Sequence, residues 1–238
     1  MEWFVDLIGE NQDLEELSKS LTSEKLCISK GDQGFILKSE SFKLLQDQNA
    51  VLNKAKELIA YLNGAARMVL GMRKSITIGG VNRLNENGAK DIFICLEDAI
   101  HIHSRVGAVV VSVGKDGQVH EFHQADIIPD WIAITEKNEN VAKVLRLFGV
   151  GSYDWVDLYR IYEIIGDDMG GSNNIVNKQW ATKKTIVRFT HTANSPDASG
   201  DRSRHGKGES APKDPMTIAE AKSFVENIIH NWIRSKIP

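Results

Sequence analysis

Two cysteines, Cys27 and Cys95, are all that 238 residues contain. Each sits in a short apolar run, LCI and IFICL. They read as two buried free thiols of a reducing compartment, not as a disulfide framework or a cysteine metal site. Charge of one sign is equally scarce. Twenty-nine Lys and Arg face 32 Asp and Glu, a net charge of -3 and a pI of about 6.2. The chain as a whole is therefore no electrostatic binder of nucleic acid, and such a role needs a local basic patch. Long hydrophobic runs are missing too. The longest, VGAVVVSVG at 106–114, is strand-sized, well short of the roughly 20 residues that span a bilayer. The first residues carry acids at Glu2 and Asp6 and no basic segment, unlike a signal peptide. A cytoplasmic protein without membrane association is expected.

Catalytic fingerprints are also lacking. ITIGGVN has neither the G-x-G-x-x-G spacing nor the G-K-[ST] ending of a phosphate loop. There is no G-x-S-x-G, H-E-x-x-H or C-x-x-C. No nucleotide site, nucleophile or cofactor follows from such motifs, and no cofactor is expected.

What is present divides into two halves. Residues 2–8 (EWFVDLI) read as a strand, and 13–23 as a short helix with Leu14, Leu17 and Leu21 at spacings of three and four. Residues 25–29 and 34–39 read as a hairpin turned by KGDQG. A long helix then runs to a stop at Gly71, with Asp47 or Asn49 as N-cap. From Lys74 to Phe122 strand text recurs, punctuated by Asn87-Gly88 and Asp116-Gly117. This predicts an antiparallel meander.

The C-terminal half is helical: 130–149 holds at least one helix, 153–168 a compact one, and 175–193 one or two more. The last helix opens on the capping box Thr217–Glu220. Ile218, Ala221, Val225, Ile228 and Trp232 form its apolar stripe, widened by Phe224, Ile229 and Ile233. The fold class expected is α+β: a mostly antiparallel sheet with covering helices at 1–125, then an α-helical domain at 130–238 containing a polar loop at 194–215.

Three clusters could carry chemistry. His101 and His103 share one face of an extended strand, and His120 and His123 end another. Paired, the four imidazoles could approach Glu121 or Asp126 as zinc ligands. The reading adopted is polar residues on a solvated face, with no metal. On 153–168, Asp157, Arg160 and Glu163 recur at spacing three. They form either an ordinary ion-pair stripe or an inward face on which Arg160 and Glu163 orient groups of the polar loop. The third cluster is the segment Arg188–Met216, with Arg188, His191, Asn194, Asp201, Arg202, Arg204, His205 and Lys207. It is longer than a plain connector. Arg and His together can cleave a phosphodiester without metal, His as acid or base and Arg against the phosphate's charge.

The order helix, polar Arg/Asn/His segment, His205-Gly206, linker and long apolar final helix resembles the HEPN superfamily. It is nearest to the C-terminal domains of abortive-infection proteins. The resemblance covers roughly residues 150–238 and rests on Asn194, Arg202 or Arg204, His205 and Gly206. Arg188 to His191 and Arg202 to His205 each span two intervening residues, shorter than the interval usual in HEPN ribonucleases. The resemblance implies a bacterial stress or phage-defence protein cleaving RNA without metal, as a homodimer with two polar loops across one cleft. His205 would be the acid/base, Arg202 and Arg204 the phosphate contacts, and Arg188, His191 and Asn194 supports. The alternative is a non-catalytic interaction module whose 188–215 segment binds a protein or nucleotide partner.

Overall fold

The computed structural model describes residues 2–31, 33–84, 90–94, 110–113, 119–122, 124–204 and 210–237. The chain is α+β, with an antiparallel sheet at the N-terminus and a helical C-terminal region. It divides into two compact units, Met1–Ala133 and Ile134–Pro238.

In the first unit five strands, β1 (Glu2–Ile8), β2 (Cys27–Gly31), β3 (Gly34–Lys38), β4 (Thr77–Leu84) and β5 (Lys90–Ile94), pair in the order β2-β3-β1-β4-β5. Every pairing is antiparallel. β1 is central because Trp3, Phe4, Val5 and Leu7 are all buried, and a strand apolar on both faces is stable only between neighbours. A register shift between Asp6 and Leu7 sets Asp6 against Gly80 and Leu7 against Ile78. Helix α1 (Asn11–Ser20) buries Leu14 and Leu17.

Helix α2 (Gln48–Leu70) packs on β4 and β1. The Asp47 side chain caps its start, accepting from the amides of Asn49 and Ala50. Gly71 ends it in the left-handed region at φ 62°, where a Cβ would be strained. Val51, Ala55, Ile59 and Leu62 form its buried face, and removing one such aliphatic side chain from water contributes about 2 kcal/mol. Asn63 fixes the approach to β4, donating to the Ile76 carbonyl at 2.9 Å and accepting its amide at 2.7 Å.

Of the expected meander, β4 and β5 pair antiparallel within the five-stranded sheet, and β6 (Val110–Val113) and β7 (Val119–Phe122) pair antiparallel with each other; residues 95–109 and 114–118 lie outside the described residues. The first unit also runs beyond residue 125. A 3-10 turn at Gln124–Ile127 packs against α1 and α2, the Ser20 hydroxyl donates to Asp126 at 2.8 Å, and Ile128 and Trp131 of α3 (Ile128–Thr135) are buried. The boundary therefore lies inside α3.

The second unit holds α4 (Glu139–Gly149), α5 (Trp155–Asp168), α6 (Ser172–Asn177), α7 (Lys183–Asn194), the single turn α8 (Pro196–Ser199) and α9 (Ile218–Arg234). The 175–193 text thus splits into two helices, parted by a connector in which Gln179 takes φ 60°. α5 packs on α4, α7 and α9. At its centre Phe189 meets Tyr162, Tyr159 and Phe224, with ring centroids 5.4, 5.9 and 4.9 Å away. The α9 stripe is buried from Ala221 to Ile233, while Ile218 at its head is 43% exposed. Among the described residues no helix is long and apolar enough to cross a membrane.

Candidate functional site

The polar segment is less of a loop than its composition suggests. Arg188, His191 and Asn194 lie on α7 itself, and α8 with a 3-10 turn at Gly200–Arg202 occupies the next stretch. α7 forms because Thr182 caps it, accepting the Thr185 amide at 3.1 Å. Its Ile186 and Phe189 face the core.

The rest of the segment is stitched back onto α7. On the outgoing side, the Arg204 amide donates to the Ala193 carbonyl at 3.0 Å. On the returning side, His191 Nε2 meets the Ser210 carbonyl at 2.9 Å, and the Met216 amide donates to Thr192 Oγ1 at 3.0 Å. Arg188 binds the approach to α9. It donates to the carbonyls of Asp214 and Pro215 at 2.9 and 3.2 Å, and it meets both Glu220 oxygens, at 3.1 and 3.3 Å. Arg204 and Ser210, the described residues on either side of 205–209, are thus both tied to the last turn and a half of α7.

Arg204 is held from two directions. Its Nη2 donates to Glu163 Oε1 at 2.8 Å, and its guanidinium lies 4.3 Å from the centre of the Tyr159 ring. Tyr159 and Glu163 are four apart on α5, so both reach one face of the helix. Glu163 therefore joins the segment. Arg160, its expected companion, is exposed on another side of α5. Asp201 and Arg202 are exposed, and Arg202 forms no ion pair among the described residues. His205 lies outside the described residues, as do Gly206 and Lys207.

Electrostatics follow the geometry. The Glu220 carboxyl sits at about 2, held down first by the Thr217 amide and then by Arg188 and the Thr217 hydroxyl. Burial pushes the Tyr162 phenol up, with a hydrogen bond from Ser172 opposing it. At the end of α7, Asn194 Oδ1 and Ser195 Oγ are buried and have no hydrogen-bond partner among the described residues. Each such group costs roughly 1–3 kcal/mol.

Of the histidine clusters, His101, His103 and His123 lie outside the described residues, and for His120 only the strand backbone is described. Among the described residues no group of three or more His, Cys, Asp or Glu is placed to hold a metal ion. Cys27 is a free thiol, half-buried on β2 and not fully enclosed.

Sequence reasoning overlooked Tyr159, Thr192, Ser195 and Asp214. The Tyr159–Glu163 spacing was the one usable signal, because an aromatic ring and an acid on one helix face make a socket for an arginine. The chain matches no protein-family model, and comparisons with curated proteins and with solved structures find no match.

Proposed function

We propose that the C-terminal unit is a non-catalytic interaction module, and that the 188–215 segment is the surface it offers to a macromolecular partner. One observation carries the reading. Arg188 and Arg204 are both committed to carboxylates of their own chain, Glu220 with Asp214 and Glu163. An arginine that stabilises phosphate charge in a transition state has to be aimed at that phosphate. Here the two guanidiniums act as fasteners, and a recognition segment on a rigid scaffold is the arrangement that binding sites commonly use. The module acts in the cytoplasm.

A second reading, metal-independent RNA cleavage of the HEPN kind, is favoured by Arg202, which is exposed and unpaired with any carboxylate among the described residues. In that reading His205 is the acid/base and a homodimer sets two segments across one cleft.

The experiment is incubation of the full chain with total RNA in EDTA beside a His205→Ala variant, followed on a denaturing gel. The interaction module predicts intact RNA in both. Cleavage by the parent that is lost in His205→Ala would overturn it in favour of the nuclease.

A further inference from the structure

The first unit carries a groove of about 470 Å³ at one end of its sheet, within the ~300–1,000 Å³ range of small-molecule sites. Trp3 of β1 and Phe42 form its floor and are 7% and 1% exposed. Cys27, at the start of β2, stands half-buried in its wall.

The walls are braced. The Glu40 amide donates to the Glu24 carbonyl at 3.0 Å, and Ser39 Oγ donates to the Lys25 carbonyl at 2.7 Å. Trp3 Nε1 donates to the Leu45 carbonyl at 3.1 Å, which fixes the floor beneath them. A concavity tied together in this way exists before any ligand arrives, so binding costs little ordering.

Its rim bears both signs of charge. Lys38 pairs with Glu2 at 2.9 Å and Lys43 with Glu24 at 3.5 Å. All four side chains are at least 36% exposed. Such pairs contribute little in water and open at little cost. Next to Lys43, Leu44 is 88% exposed.

We propose that this groove binds a small zwitterion with an apolar body, an α-amino acid with a large apolar side chain. Its carboxylate would exchange with a glutamate on Lys38 or Lys43. Its ammonium would take the Glu2 or Glu24 carboxylate so released. The side chain would lie against Trp3 and Phe42. Both charges of the ligand are then matched without leaving either member of an opened pair alone.

Cys27 reports occupancy. The full chain is treated with N-ethylmaleimide, and labelling of the tryptic peptide Leu26–Lys30 is timed by mass spectrometry. L-phenylalanine is the probe, with N-acetyl-L-phenylalaninamide and glycine beside it. Free phenylalanine is expected to slow labelling in proportion to occupancy, about tenfold at ten times its Kd. Glycine, lacking the apolar body, and the uncharged amide should protect far less. A Lys38→Gln/Lys43→Gln variant, altered only on the exposed rim, should need about fivefold more phenylalanine, the factor carried by an exposed charge contact of ~1 kcal/mol. Equal protection by phenylalanine and the uncharged amide would overturn the zwitterion. No protection by phenylalanine would overturn the site.

Discussion

Asp168, the last residue of α5, holds three donors at once. Its Oδ2 accepts from Trp232 Nε1 at 2.9 Å and from Lys236 Nζ at 2.6 Å, and its Oδ1 accepts from Asn140 Nδ2 at 2.9 Å. One carboxylate thus ties α5 to α4, to α9 and to the chain just beyond it. The contributions are unequal. Trp232 is fully buried, so in Asp168→Ala its indole N–H loses its partner where water cannot replace it, at a cost of about 2 kcal/mol. The Lys236 pair is partly exposed, with side chains 22% and 13% accessible, and adds ~1 kcal/mol. Asn140 is exposed and is re-solvated. Asp168→Ala should therefore cost about 3 kcal/mol, and Asp168→Asn, which keeps an acceptor for the indole, about 1 kcal/mol.

The assay is urea unfolding by far-ultraviolet circular dichroism, repeated in a Trp232→Phe background where no indole donor exists. There, Asp168→Ala should cost only the ion pair, giving a coupling of about 2 kcal/mol in the double-mutant cycle. A coupling below ~0.5 kcal/mol would refute the reasoning, because additive sites agree to within that margin. pH supplies a second check. Burial raises the Asp168 carboxyl, but the hydrogen bonds from Lys236, Asn140 and Trp232 outweigh it and leave the group below its ordinary value. A carboxyl lowered by folding stabilises in full above its unfolded value of about 3.9. That contribution is lost as pH falls through the lower folded value. The gap between the parent and Asp168→Asn should close in acid.

Two further outcomes follow from local geometry. Glu220 titrates at about 2 in the folded chain against an unfolded value of about 4.3. As pH falls between those limits the parent should lose stability that Glu220→Gln never had, and urea midpoints measured against pH should converge. Gln179 holds φ 60°, a conformation costing a non-glycine residue roughly 1–2 kcal/mol, so Gln179→Gly should raise the unfolding free energy by about 0.5 kcal/mol once glycine's own entropy is subtracted. Gln179→Val should lower it by at least ~1 kcal/mol, and stabilisation by valine would show that the connector relaxes.

The legible parts of this fold are those whose partners are close in sequence. Asp47 meets amides two and three residues on, and Thr217 and Glu220 are three apart. Spacing alone therefore shows the α9 cap and narrows the α2 cap to Asp47 or Asn49, and the strand text of 2–8 and the α9 stripe are read in the same way. The central place of β1 is another matter. Its pairing with β4 lets the Asn82 side-chain amide donate to the Asp6 carboxylate, 76 positions away, and nothing local in either strand states it. Ile218 misled because its spacing fits the stripe, whereas at the first position of α9 it lies beyond the helices that cover the rest.

The polar segment shows most clearly what composition conceals. Arg188, Arg202 and Arg204 are equivalent in the sequence, three cations near two histidines. They differ only in which acid the fold brings to them. Glu220 reaches Arg188 from 32 positions away and Glu163 reaches Arg204 from 41. Arg202 is exposed, with no carboxylate partner among the described residues. A carboxylate within 3 Å of a guanidinium satisfies the charge that a phosphate would otherwise attract, and a phosphate that displaced it would leave Glu163 beside a second anion. Arg202 carries no such penalty. An anionic partner of this segment is therefore expected to discriminate between two arginines two positions apart. Arg202→Ala would weaken its binding, while Arg204→Ala would act through loss of the segment's attachment to α5.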